Sequence, residues 1–194
     1  MLILASQSPR RKTLLEWAEI PFEVMVSDTS ETYPDTLPIE DVPVYIAREK
    51  ARAVANQVAS AGTPQRMILA ADTVVVLQDE IIGKPNSREE AITTLRKLSG
   101  NRHRVITGVV LLHDAGETAF ADTTWVSFHP LTEEQIVFYV DKYQPYDKAG
   151  AYAIQEWIGV VGIQQVEGDF YNVMGLPVSR VVQVLNELGI RNQV

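Results

Sequence analysis

"MILAADTVVVLQDEII", Met67 to Ile82, carries the reading of the fold. The run to Leu77 is too apolar for either face to stay long in water, so it reads as a strand inside a covered sheet. Gln78–Glu80 is polar and reads as a turn, and Ile81–Ile82 reads as a short strand beside the first. A covered strand that also pairs through a tight turn belongs to a mixed sheet rather than a purely parallel one.

Outward from this strand, helices and strands interleave. Towards the N-terminus the pattern predicts a strand at Leu2–Leu4, a helix from Pro9 to Glu19 and a strand at Phe22–Val26. In that helix Leu14, Leu15 and Ala18 share a face. The polar, proline-marked stretch Ser27–Pro38 reads as a loop, and a helix over Pro43–Ala59 puts Ala47, Ala51, Val54 and Val58 on one side. Towards the C-terminus, "SREE" at Ser87–Glu90 is a capping-box pattern for a helix to Leu98, ended by Gly100. Val105–His113 and Thr118–Phe128 read as a hairpin around "DAGE", and "TEEQ" at Thr132–Gln135 opens a helix to Lys142. A strand near Val160–Glu167 and a helix over Pro177–Leu188 complete the pattern. The expectation is an α/β fold with a mixed sheet, in one domain over residues 1–194 or two closely packed lobes.

Bulk composition removes several classes of function. The chain has no cysteine, which excludes disulfides, thiolate zinc sites and cysteine nucleophiles. No apolar run reaches the ~18 residues of a membrane span, and no secretory signal is visible, so the expectation is a cytoplasmic protein with no membrane partner. Seventeen basic against twenty-five acidic residues give a net charge of −8, the wrong sign for a nucleic-acid binder. His103, His113 and His129 are dispersed and form no metal-ligand pair. Neither a G-x-S-x-G elbow nor a G-x-G-x-x-G fingerprint occurs.

Five stretches could carry chemistry, and each has an ordinary reading beside the functional one. In "LASQSPRR", Leu4–Arg11, Ser8 stands at an N-cap and Pro9 at the first helical position. This is either a capped helix with two solvated arginines or an anion site at a helix N-terminus, with Arg10 and Arg11 as fork-shaped donors. Asp72, in or at the end of an apolar strand, must be paired, metal-bound or exposed at the strand mouth; the plainer alternative is a strand-end Asp bonding a nearby amide. Lys84 lies on the tight "GKP" turn. In "YDKAGAYAIQEWIG", Tyr146–Gly159, small residues surround Lys148 and Gln155; the Gln amide suits the edge of a nucleobase, or is buried and serves the main chain. In "GDFYNVMGLP", Gly168–Pro177, Asp169 and Asn172 are candidate turn formers.

"LASQSPRR", "AREKA", "AADTVVV", "GKP", "SGNRHRVITGV", "DKAGAYAIQ" and "GDFYNVMGLP" follow one another over nearly the whole chain. As a series they resemble the Maf family of nucleoside triphosphate pyrophosphatases. The resemblance implies a two-lobed fold with an elongated mixed sheet and a central cleft, shared with inosine-triphosphate pyrophosphatases (Ham1), and often a homodimer. It implies hydrolysis between the α and β phosphates, with Asp72 as proton acceptor and a divalent cation, Mg²⁺ before Mn²⁺, held by Asp72 and by Glu31 of "DTSE". Ser8, Arg11, Lys50 and Lys84 match the positions that grip the triphosphate. Arg10, Thr73 and Gln155 match the branch resembling dTTP/UTP pyrophosphatases, which would also remove modified pyrimidine triphosphates before polymerases use them. Glu156 and Trp157 depart from that pattern, standing where many relatives have a glycine after the Gln. A second implied role, from a link to arrest of septum formation, is a nucleotide-sensing regulator of cell division that needs the cradle but not the base or metal.

Overall fold

Ile68–Leu77 (β3) is the expected strand, with nearly every side chain buried, and lies within a seven-stranded mixed sheet of the computed structural model. The structure describes residues 2–61 and 66–189. Along the chain it forms β1 (Leu2–Leu4), α1 (Pro9–Trp17), β2 (Phe22–Val24), α2 (Val42–Ser60), β3, β4 (Glu80–Ile82) and α3 (Arg88–Leu98). There follow β5 (Arg102–His113), β6 (Gly116–Phe128), α4 (Glu133–Tyr143), α5 (Trp157–Gly162), β7 (Ile163–Glu167), α6 (Phe170–Met174) and α7 (Val178–Glu187), with 3₁₀ turns at Ile39–Asp41 and Ala149–Ala151. Strand order is β2-β1-β3-β5-β6-β7, with β4 on β3. β1 runs parallel to β2 and β3, whereas β4 is antiparallel to β3 and β7 to β6, so the sheet is mixed as the turn after Leu77 predicts.

The chain divides into two compact units, one of Met1–Asp72, Thr107–Asp122 and Gly175–Val194, the other of Thr73–Ile106 and Thr123–Met174. In the first, Ala47, Ala51, Val54 and Val58 of α2 form the predicted stripe and bury against Ile3, Ala5, Ile68, Ala70 and Val110. The close approach needs Gly108, since a Cβ there would overlap the backbone of Pro43 and Val44 at the start of α2. In the second unit α3 packs on α4 and on the turn at Ala149–Ala151. Phe128, His103 and Tyr152 form an aromatic cluster with ring centroids 5.1–5.7 Å apart.

The two capping boxes differ. Thr132 and Gln135 exchange both reciprocal bonds at the start of α4. At α3 only half forms: Ser87 Oγ accepts from Glu90 N–H, while the Glu90 carboxylate accepts from Asn86 N–H instead. The strand expected near Val160–Glu167 begins only at Ile163, because residues 157–162 are helical. Gly159 explains the turn: its missing Cβ leaves room for the carbonyl of Ile154. In the Gly168–Pro177 stretch, Asp169 is the expected turn former, its carboxylate accepting from Tyr171 N–H at 2.7 Å. Asn172 is no turn former, for it is fully buried in α6 and donates to Val105 O and Thr124 Oγ1.

Candidate active site

In the first unit, Asp72 lies mid-strand rather than at a strand end, five residues into β3, and only 8% of it is exposed. A carboxylate there is largely withdrawn from water, so it needs a partner. Lys50, from the third turn of α2, supplies it: Nζ donates to Asp72 Oδ1 at 2.7 Å and to Glu31 Oε1 at 2.8 Å. The two carboxylates thus converge on one point of positive charge, Asp72 from the sheet and the more exposed Glu31 from the loop before α2.

Arg11 completes the cluster. Its place in the first turn of α1 buries the guanidinium, where Nε donates to Gly175 O at 2.7 Å and Nη1 to Ser6 Oγ at 3.1 Å. Burial lowers its pKa from the ordinary value; the charges of Asp72 and Glu31 oppose that, and the neighbouring Arg10 adds to it. Ser8 is the N-cap by position, with extended backbone before Pro9, but its side chain makes no cap bond. Its N–H donates instead to Ser6 Oγ at 3.2 Å, so Ser6 organises both the turn and Arg11. Arg10 is half-buried beside them. Of the two arginines only Arg11 is built into the interior.

The second unit holds the remaining candidates. Thr73, half-buried, follows Asp72 on β3. Lys84 is exposed on the turn after β4, whose Gly83 carbonyl accepts from Gly150 N–H at 3.1 Å. Gly150 itself takes a left-handed φ of 71° and lies over Val75 of β3, where a Cβ would be crowded. The "GKP" turn, β3 and the "DKAGAY" segment are therefore tied together. Gln155 is exposed, which removes the reading of a buried amide serving the main chain. Lys148 is buried, with Nζ 2.7 Å from Asp147 and 3.7 Å from Glu156.

Sequence comparison decides the family. A family model described as "Maf-like protein" matches residues 1–188. The chain belongs to the Maf family. A Maf relative from Cytophaga hutchinsonii named dTTP/UTP pyrophosphatase is 49% identical over 187 residues, covering 96% of this chain and 84% of its own. One of the same name from Porphyromonas gingivalis is 47% identical over 194 residues, covering 98% and 96%. A third, from Bacteroides fragilis, is 45% identical and covers 96% and 95%. The Staphylococcus aureus Ham1 protein, 16% identical, covers 97% of this chain and 98% of its own with a TM-score of 0.52, a likeness of fold.

Within this Maf chain, Glu31 and Asp72 fit a small hard cation. Among the described residues no three His, Asp or Glu side chains are placed to hold a metal ion. A carboxylate pair is nevertheless what Mg²⁺ commonly takes from a protein when substrate phosphates and waters fill its other positions. The residues that sequence reasoning missed are those that hold the named ones: Ser6 and Gly175 on Arg11, and Tyr139, which bonds Ala153 and Glu156 on either side of Gln155. The first serine of S-x-S is the only local hint among them, since the other two come from distant parts of the chain.

Proposed function

We infer that this chain hydrolyses dTTP and UTP between the α and β phosphates, releasing the nucleoside monophosphate and pyrophosphate. The observation that carries the reading is Asp72 and Glu31 gathered on the Lys50 ammonium beside a buried Arg11, in a Maf chain whose relatives bear that activity as their name.

Phosphoryl transfer asks little covalent chemistry of a protein; it asks for charge neutralisation and an oriented water. An ammonium has three donors, so Lys50 can hold both carboxylates and still reach a phosphate oxygen. Arg11, Lys84, Ser8 and the N-terminal end of α1 take the rest of the triphosphate. Asp72, held in place by Lys50, accepts the proton of the attacking water; the new P–O bond forms as the bond to the pyrophosphate oxygen breaks. Glu31 and Asp72 would hold a Mg²⁺ with the phosphates, and such an ion supplies Lewis-acid neutralisation of the charge on the leaving pyrophosphate. Thr73 and Gln155, with Arg10, select the base: a Gln amide can both accept from N3–H and donate to a carbonyl of uracil or thymine. A site built this way rejects a base that leaves its polar groups unpaired.

Steady-state turnover on a panel of triphosphates with Mg²⁺ tests the reading. UTP and dTTP should lead CTP, ATP and GTP. Nucleotide binding with no turnover of any of them would overturn it in favour of a sensor.

A further inference from the structure

Gln155 is exposed, yet the backbone on both sides of it is fixed from within. Ala153 N–H donates to Tyr139 Oη at 3.1 Å, and the same phenol donates to Glu156 Oε2. Glu156 N–H closes the turn on Ala153 O at 3.1 Å, and Gly159 N–H returns to Glu156 O at 2.9 Å. Tyr139 is fully buried in α4, its ring stacked on Tyr143 with centroids 5.0 Å apart. Ala153 and Glu156, which bracket Gln155, therefore share one oxygen atom on α4. Glu156 is held further by Lys148, whose ammonium lies 3.7 Å from Oε1. On the other side Gly159 packs directly on the Ile154 carbonyl, where a Cβ would overlap it.

We propose that Tyr139 is a positioning residue for base selection, its hydroxyl clamping the Ala153–Glu156 turn so that the Gln155 amide is presented in one orientation. The inference rests on the reading that Gln155 meets the base. A hydroxyl is required because the same atom must accept from a backbone N–H and donate to a carboxylate; a phenyl ring of equal size does neither. Glu156 is the other half of the clamp, which gives this departure from the glycine of many relatives a purpose. The substrate class it serves is a pyrimidine with an N3–H donor beside a carbonyl acceptor. Cytosine offers N3 as an acceptor beside an amino donor, so an amide free to turn over would meet either edge. Loosening the turn should then cost discrimination first, because geometry within about half an ångström is what makes the wrong edge unfavourable.

The experiment is kcat and KM for UTP and CTP in wild type, Tyr139→Phe, Glu156→Ala, Gln155→Ala and the Tyr139→Phe/Gln155→Ala double variant. Tyr139→Phe should raise KM for UTP about tenfold with kcat within about twofold, and should lower the UTP-to-CTP ratio of kcat/KM by about tenfold. Glu156→Ala, which removes the same clamp from a half-exposed position, should move the ratio in the same direction. In the Gln155→Ala background Tyr139→Phe should add nothing to the loss of selectivity. A uniform fall in kcat for both nucleotides, or an unchanged ratio in Tyr139→Phe and Glu156→Ala while Gln155→Ala alone alters it, overturns the clamp. Should Tyr139→Phe fail to fold, Glu156→Ala alone decides between these outcomes. An unchanged ratio in Gln155→Ala would instead overturn the role of Gln155 itself, a result separate from the clamp.

Discussion

Among the polar groups of the first unit, buried Arg11 and Asp72 and half-buried Lys50 carry charge and neutralise one another, with Glu31 at their edge. In the second, Lys148 apart, the buried polar groups are neutral. His103 Nε2 meets Tyr152 Oη at 2.7 Å, Asn172 bonds Val105 and Thr124, and Tyr139 holds the turn around Gln155. The two kinds of group suit two proposed tasks, and the proposed roles of Arg10 and Lys84 cross the division between the units. Charge held in fixed pairs can be handed to a polyphosphate and to the proton of a reacting water at no reorganisation cost. Neutral donors and acceptors in a stiff frame can read a base, whose edges differ in pattern and not in charge.

The sharpest way to break this contrast is Asp72→Asn. It removes a base without emptying the cluster, because Lys50 keeps Glu31 as its partner. Turnover should fall by about 10³-fold with the fold retained, as read by steady-state kinetics and circular dichroism; wild-type-like rates would remove Asp72 from the chemistry. The paired arginines come next. Arg11→Lys loses the fork that reaches both Gly175 O and Ser6 Oγ, and should cost about 2 kcal/mol of stability. Arg10→Lys should cost stability little and shift base preference instead, so urea titrations and a nucleotide panel together separate the neighbours.

A third test addresses the neutral unit. Burial lowers the His103 pKa to about 4, from an ordinary value near 6.5. As pH falls, the unfolded chain takes the proton first, so folding stability is full above ~6.5 and is lost between there and about 4. Urea denaturation at pH 7 and pH 5 should differ by about 2 kcal/mol through this group alone, a difference that His103→Gln should erase. The smallest effect on stability belongs to Gln155→Ala, within about 0.5 kcal/mol because the residue is exposed. Its signature is a lost preference for UTP and dTTP over CTP, and equal loss on every base would place it on the phosphates or in the frame.

Local pattern made much of the fold legible. The apolar run of β3, the stripe Ala47, Ala51, Val54 and Val58, and the reciprocal Thr132–Gln135 box each follow from residues a few positions apart. The missed helix α5 has the sequence "WIGVVG", whose β-branched and glycine content reads as strand. Gly159 packs there on the Ile154 carbonyl five residues earlier, a close approach that residue type and periodicity do not announce. The site divides in the same way. Asp72, Lys50 and the arginines were marked by residue type and by resemblance, while the bonds that make them a cluster join residues 22 and 164 positions apart. Ser6 is hinted at only by the S-x-S spacing, and Gly175 and Tyr139 lie far along the chain from the groups they hold, so the folded chain is what identifies them.

The central claim is the bond that is cut. Incubating the protein with dTTP and Mg²⁺ and resolving the phosphorus-containing products by ³¹P NMR reads it directly. The account predicts dTMP and pyrophosphate in equal amounts. Thymidine diphosphate and orthophosphate would contradict it.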